Sequence, residues 1–328
     1  MRKWLHIIKL GWSYKIARSV HLAHPPYQYT IEPTNACNLQ CDFCPQSDPA
    51  HKERRPPGLL SMDNFRLFLK RLDNVQPANK NLNFTLDGEP LLNKDFSGFV
   101  RLAAERGYFS VFASNGTLMD NGKVDSLAEA GPFRASIDFA SDPQVFEKTR
   151  GREGDFELVR ANLIRLMKMA KSFPGIHLDV HDITSFSGFD PEKSLQKLKK
   201  LFPDELTANS KQIRFDSRQF HNFCGHLDNR NDDSNYRLCP YPWTQMAVAH
   251  NGDCVACCRD TVGRSVLGNL FVDPIMEIWN GAKYQRFRQN LLDRKVEQNA
   301  ACAKCDLPFS GSDPRWKLAY MFRSLRGR

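Results

Sequence analysis

Between residue 27 and about residue 220 the chain alternates short β-rich segments with helical ones, and this alternation limits its fold more than any other feature. Strands are expected at 27–32, 82–86, 110–114, 133–138, 176–181 and 211–215, and helices at 63–72, 96–105, 123–130 and 156–172. Such a pattern implies parallel strands joined by helical crossovers, hence a doubly wound sheet or a full or partial barrel. Chemistry then belongs at the C-terminal edge of the strands. Residues 216–237 break the pattern with Asn, Asp, Arg and His, including the polar run 228–235, and read as a connector. A cysteine-rich segment, 239–306, follows, and no repeat of solenoid length is present, so the two halves differ in architecture.

A chain of 328 residues suits one large α/β unit with a small appendage. Its 41% hydrophobic and 25% charged content is ordinary globular usage and excludes disordered or collagenous classes. The net charge of +9 fits an anionic cofactor or surface, but no basic and aromatic tract supports nucleic-acid binding. Basic residues gather at the ends: Arg2, Lys3, Lys9, Lys15 and Arg18 at the start, and Arg315, Lys317, Arg323, Arg326 and Arg328 at the finish. Residues 1–26 space Trp4, Ile8, Trp12, Ile16 and Val20 four apart, the pattern of an amphipathic helix ending near Pro25 and Pro26. Packing of that stripe against its own domain is expected, with peripheral membrane contact as the alternative. Neither a secretory signal nor an apolar run long enough to span a bilayer is visible, so a cytoplasmic location is expected. In a reducing compartment the ten cysteines point to metal rather than disulfides.

Three of them, Cys37, Cys41 and Cys44, form a Cys-x3-Cys-x2-Cys loop directly after the first strand. Three thiolates on a [4Fe–4S] cluster leave one iron open, whereas a closed zinc site needs a fourth ligand from elsewhere. Phe43, between two of the cysteines, can shield the loop from water. This array resembles the signature of the radical S-adenosylmethionine (SAM) superfamily, whose members bind SAM at the open iron. Gly88-Glu89-Pro90 resembles the end of that family's Gly-Gly-Glu-Pro motif, which receives the SAM amino group, with Asp87 in place of the first glycine. Ser114 and Asn115 resemble the segment that meets the ribose, Ser136 and Asp138 the strand end lining the same pocket, and Arg150-Gly151 the pair suited to the SAM carboxylate. The implied fold is α/β, a partial (β/α)6 TIM-like barrel.

In the last third, Gly252-x4-Cys257 is similar to an element of the SPASM and twitch auxiliary-cluster domains, with Cys239 as the opening cysteine and Cys302-x2-Cys305 as a two-ligand knuckle. The stretches 267–270, 278–280 and 287–288 are similar to the linking hairpin and helix of those domains. The resemblance implies an auxiliary [4Fe–4S] cluster on Cys239, Cys257, Cys302 and Cys305, of the one-cluster twitch type. Cys258 competes with Cys257 as a ligand, a zinc ribbon is the alternative for the segment, and Cys224 and Cys254 are left over as free thiols. The expected domains are a helix (1–26), the barrel (27–220), the auxiliary domain (221–310) and a basic tail (311–328).

By resemblance the enzyme cleaves SAM reductively, with electrons from a flavodoxin or ferredoxin, and takes hydrogen from its substrate. An auxiliary cluster that accepts an electron makes a two-electron oxidation of a small hydroxylated, sugar- or aminocyclitol-like metabolite the leading reading. Modification of a ribosomally made peptide is the alternative, lowered by the short stretch before the first strand. Cys258, where sulfatase-maturing relatives carry an aspartate, argues against formylglycine formation. An oxidation also needs a proton acceptor, for which His181, Asp182 and Asp260 are candidates.

Overall fold

The computed structural model describes residues 2–150, 155–208, 210–218, 221–227 and 236–309. Gly151, the polar run 228–235 and the basic tail 311–328 lie outside the described residues. The chain divides into two compact units, one of Ile31–Phe65 with Lys80–Phe220, the other of Met1–Thr30, Arg66–Asn79 and His221–Arg328. The nine strands are β1 (Gln28–Ile31), β2 (Asn81–Phe84), β3 (Phe109–Ser114), β4 (Phe133–Phe139), β5 (Ile176–Asp182), β6 (Ile213–Ser217), β7 (Gln245–Val248), β8 (Asp253–Val255) and β9 (Val266–Asn269).

In the first unit β2 to β6 lie side by side in chain order and run parallel, the arc expected of a partial barrel. The helices Phe96–Glu105, Asn121–Ala130, Asp155–Ser172 and Pro191–Lys199 make the crossovers. Asp120 and Asp190 start two of them by accepting the backbone N–H groups of Lys123 and Lys193. Along β4 the residues alternate: Phe133, Ala135, Ile137 and Phe139 are buried, while Arg134, Ser136 and Asp138 share the other, half-exposed face. Beneath the sheet Phe65, Phe84, Phe96, Phe99 and Phe112 interlock ring against ring, with Phe65 and Phe99 centred 4.8 Å apart and Phe96 and Phe112 5.1 Å apart. Each ring buried this way contributes about 1.5–3 kcal/mol, which makes the arc a rigid frame for the loops at its edge.

In this unit element boundaries lie within three residues of those read from the sequence, and one of these small shifts is consequential. β2 stops at Phe84 instead of running to 86, which releases Leu86, Asp87 and Gly88 into a loop.

In the second unit the strand order is β1-β7-β8-β9, with β7, β8 and β9 antiparallel. Its core is built on Trp243, Trp279, Tyr284 and Arg288, all fully buried. The Arg288 guanidinium lies 4.2 Å from the Trp279 ring centroid and donates to the carbonyls of Pro242 (2.9 Å), Trp279 (2.7 Å) and Val20 (2.8 Å). The Asn280 side chain receives the Leu22 N–H at 2.8 Å and donates to its carbonyl at 2.9 Å. The 278–280 and 287–288 stretches are therefore packing keystones that tie the start of the chain to this unit.

The N-terminal helix departs from expectation twice. It runs as Arg2–Gly11 continued by a wider turn, Trp12–Ile16, and stops well before Pro25, because Arg18 takes a left-handed backbone (φ 45°) that no helix continues. The face it buries carries His6, Ile7, Leu10, Ser13 and Tyr14, not the stripe of Trp4, Ile8, Trp12 and Ile16, which is exposed. No helix among the described residues is long and apolar enough to cross a membrane.

Candidate active site

Cys37, Cys41 and Cys44 sit in the loop that follows β1, and the loop is fixed from several sides. Thr34 donates its hydroxyl to the Gly58 carbonyl (2.7 Å) and accepts the Ala36 N–H (3.0 Å). Asn35 donates to the carbonyls of Arg55 and Pro56 and accepts the Gly58 N–H at 2.7 Å. Cys44 closes a turn onto the Cys41 carbonyl at 3.0 Å.

The loop released after β2 docks on this one. Gly88 has φ +67°, and a Cβ there would stand 2.5 Å from the Thr34 carbonyl oxygen and 2.6 Å from that of Ala36. Only glycine satisfies both the backbone and the approach, and Glu89 then donates its N–H to the Ala36 carbonyl at 2.8 Å. Asp87, the departure from the family motif, is a brace. It accepts Gln46 Nε2 at 2.7 Å and lies 2.6 Å from His51 Nε2 and 3.6 Å from Arg55 Nη1, while Arg55 also reaches Glu32 at 2.5 Å. Asp87→Gly leaves those buried partners without their acceptor and is expected to destabilise the protein by about 3 kcal/mol. A thermal midpoint equal to that of the parent would contradict the brace.

Glu89 is buried with both carboxylate oxygens engaged: Ser114 Oγ (3.0 Å) and the Leu91 N–H (3.1 Å) donate to one oxygen, the Asn115 N–H (2.7 Å) to the other. Burial pushes its pKa up, and these hydrogen bonds and Arg150 oppose the shift. Pro90 opens the short helical turn Pro90–Leu92 behind it. Asn115 donates to Asn38 Oδ1 at 2.8 Å and points the same amide at Cys37 Sγ, 3.9 Å away. Asn38 in turn donates to Thr117 Oγ1 at 2.9 Å. Arg150 is buried, with Nη1 3.7 Å from Cys41 Sγ and Nη2 donating to the Asp138 carbonyl at 2.6 Å. Its Nε is buried without a partner. Phe43 meets Phe186 edge-on at 5.4 Å.

These residues fit an anionic cluster with an anionic ligand beside it. Two nitrogen donors face the sulfurs, and the unpartnered Arg150 Nε can take an acceptor. Burial pushes the Cys37 thiol up to about 11 and Cys44 up as well, so iron loading has to displace protons. Among the described residues no three His, Cys, Asp or Glu side chains gather as ligands of a single ion would.

In the second unit Cys224, Cys239 and Cys305 form one buried group with Leu307, and Cys257 packs on it. Cys257 thus meets the other thiols. Cys302 joins through the tight turn in which Cys305 N–H reaches the Cys302 carbonyl at 3.1 Å. Burial is the main cause that pushes Cys239 and Cys302 up. Gly252 sits at φ +91°, where a Cβ would stand 2.5 Å from Asn269 Oδ1 and from the Phe271 ring, which accounts for the glycine of Gly-x4-Cys. Cys254, fully buried, is part of the hairpin core.

Cys224 was not expected here. The loop carrying it is clamped to the knuckle by Asn222, which donates to the Lys304 carbonyl (2.7 Å) and accepts the Asp306 N–H (3.1 Å). Its thiol lies against Cys257 and Cys305, and this contact pushes Cys224 up and draws Cys305 toward the thiolate. Cys224 therefore joins Cys239, Cys257 and Cys305 in one group, with Cys302 electrostatically coupled to the last three, one thiol more than the four a cube takes.

The three proton-acceptor candidates differ. Asp182 is fully buried and binds the Thr184 N–H at 3.0 Å, the Thr184 hydroxyl and Ser194 Oγ. Asp260 is equally buried and caps its own turn through the N–H groups of Arg264 (2.8 Å) and Ser265 (3.0 Å). His181 is largely buried on the inner face, hydrogen-bonded through Nδ1 to Asp216, and its register partner on β4 is Asp138. Around it the inner face is polar: Asp179 is gripped by Arg214, bidentately at 2.9 Å, and by Arg134 at 3.1 Å. Burial raises the Asp179 pKa, but the two guanidiniums outweigh it and hold the carboxyl below its usual range. The period-two run His177, Asp179, His181 within β5 was the available sequence signal for this wall.

A three-thiol loop at the edge of a parallel arc, braced by a Gly-Glu-Pro turn, and a second thiol group in the other unit are what an iron–sulfur enzyme of this class requires. The family models agree: residues 31–177 match the radical SAM superfamily and residues 239–306 an iron–sulfur cluster-binding domain, SPASM. The chain thus carries a radical SAM superfamily domain followed by a SPASM domain, and this pair implies a SAM-binding [4Fe–4S] cluster and an auxiliary one. It is 29% identical over 150 residues to the AdoMet-dependent heme synthase of Methanosarcina barkeri, a match spanning 45% of this chain and 41% of that protein. It is 22% identical over 281 residues to the S-adenosyl-L-methionine-dependent 2-deoxy-scyllo-inosamine dehydrogenase of Niallia circulans, spanning 84% and 91%. The crystal structure of BtrN in complex with AdoMet and 2-DOIA superposes with a TM-score of 0.57 at 18% identity, covering 85% of this chain and 92% of that one.

Proposed function

We propose that the enzyme oxidises a small hydroxylated metabolite, of sugar or aminocyclitol type, by two electrons at the polar inner face of the barrel unit. The observation that carries this reading is the His181–Asp216 pair, one strand from Asp138 and beside the Arg134–Asp179–Arg214 cluster. The near full-length similarity to a dehydrogenase of an aminocyclitol supports it. Cys37, Cys41 and Cys44 would hold a SAM-binding cluster that would supply a hydrogen-abstracting radical, and Cys239, Cys257, Cys302 and Cys305 an auxiliary cluster that would supply an electron acceptor.

The chain's own residues do the rest. Arg150 and the Glu89–Ser114–Asn115 lattice set the SAM pocket, Ser136 and Asp138 line it, and Phe43 with Phe186 excludes water. Ring hydroxyls find donors and acceptors along the wall. His181, oriented by Asp216, takes the hydroxyl proton that a dehydrogenation must release. A flavodoxin or ferredoxin supplies the reducing electron.

His181→Gln is expected to lower product formation by about 10²–10⁴-fold, with 5′-deoxyadenosine release and both clusters retained. Assayed against a panel of polyols, aminocyclitols and short peptides, wild-type activity confined to peptides would replace this reading with peptide modification.

A further inference from the structure

The N-terminal segment buries one face and exposes the other. The buried face packs into the C-terminal unit: the Tyr14 hydroxyl donates to the Leu238 carbonyl, its ring lies 5.7 Å from that of Trp243, and Ser13 Oγ lies 2.9 Å from His24 Nε2. The outer face carries Trp4, Leu5, Ile8, Trp12 and Ile16, between 51% and 64% exposed. Among the described residues twelve large hydrophobic side chains are exposed, and five of them lie on this short helical segment. Scattered exposed hydrophobics are ordinary; a row of them, one per turn, marks a surface that is covered in use.

Charge decides what covers it. The first 31 residues contain Arg2, Lys3, Lys9, Lys15 and Arg18, and no Asp or Glu. Lys9 and Lys15 are exposed and interleave with the stripe, one between Ile8 and Trp12, the other between Trp12 and Ile16. A second copy of the chain would bring the same cations against themselves in a two-fold contact, with no acid on the segment to neutralise them. An anionic bilayer surface satisfies both halves of the pattern: the aliphatic and indole groups enter the headgroup boundary, while the lysine stems reach lipid phosphates.

We propose that this face is a reversible docking surface for anionic phospholipid membranes, holding the enzyme at the bilayer without crossing it. The buried face keeps the helix attached to the rest of the unit, so docking needs no unfolding. Because the segment and the SAM-site residues belong to different compact units, docking and catalysis separate by mutation.

The test uses the full-length, cluster-loaded protein and sedimentation with vesicles of phosphatidylglycerol and phosphatidylcholine in about a 1:2 ratio, against phosphatidylcholine alone. Binding to the mixed vesicles is expected to be about tenfold tighter than to the neutral ones and to weaken with salt. Ile8→Glu with Trp12→Glu should reduce it at least about tenfold, with iron content and SAM cleavage unchanged. The milder pair Lys9→Glu with Lys15→Glu, which leaves the apolar row intact, should remove the preference for anionic lipid. Wild-type protein that stays in the supernatant with phosphatidylglycerol overturns the proposal. So does a concentration-dependent doubling of mass that the same substitutions abolish, which would assign the face to a second copy.

Discussion

Gly88→Ala is expected to empty the SAM site while leaving the auxiliary one filled: iron near four per chain instead of about eight, and no 5′-deoxyadenosine on reduction with dithionite. The left-handed backbone alone costs an alanine about 1–2 kcal/mol. The larger effect is geometric, because its Cβ would lie 2.5 Å and 2.6 Å from two carbonyl oxygens of the loop that presents Cys37. Those are backbone atoms, and Thr34, Asn35 and Asn93 hold that loop from behind; Asn93 donates to the Pro33 carbonyl at 2.8 Å. Relief must therefore come from moving the 86–89 turn, which would break the Glu89 contacts to Ser114 and Asn115. Full iron loading with normal SAM cleavage in this variant would show the close approach to be dispensable.

How much of this was legible beforehand follows from what each signal depends on. The parallel arc was readable because each strand and crossover helix carries its own periodicity, a local property of a few residues. The three-cysteine loop and the Gly-Glu-Pro turn were readable because spacing within one loop decides the chemistry. Asp87 was noticed as a departure, but its role depends on His51 and Arg55, which no local pattern links to it. Cys224 was hidden for the same reason: it lies in a stretch that reads as connector, and only the Asn222 clamp onto Lys304 and Asp306 brings it to the other thiols. The N-terminal stripe was seen but assigned to the wrong environment, since periodicity reports that a face is apolar and not whether anything lies against it. In that helix the apolar residues Ile7, Leu10 and Tyr14 form a second row, and that row is the one the fold uses.

Cys305→Ala is expected to lower iron to about four per chain and to abolish substrate oxidation, while SAM cleavage continues uncoupled from product. The two activities part because the SAM-site residues and the auxiliary thiols belong to different compact units, each with its own core. Loss of both cluster signals would mean that the units do not fold independently of their cofactors. Cys224→Ala discriminates within the five-thiol site. With Cys239, Cys257, Cys302 and Cys305 as the ligand set, it leaves iron near eight and changes only the environment of Cys257 and Cys305, the latter drawn toward the thiolate by the neighbouring Cys224 thiol. That contact is worth about 1 kcal/mol, a shift visible in the auxiliary cluster's midpoint potential and not in its iron count. Iron falling to four in Cys224→Ala, with Cys302→Ala retaining eight, would instead put Cys224 on the cube and leave Cys302 outside it.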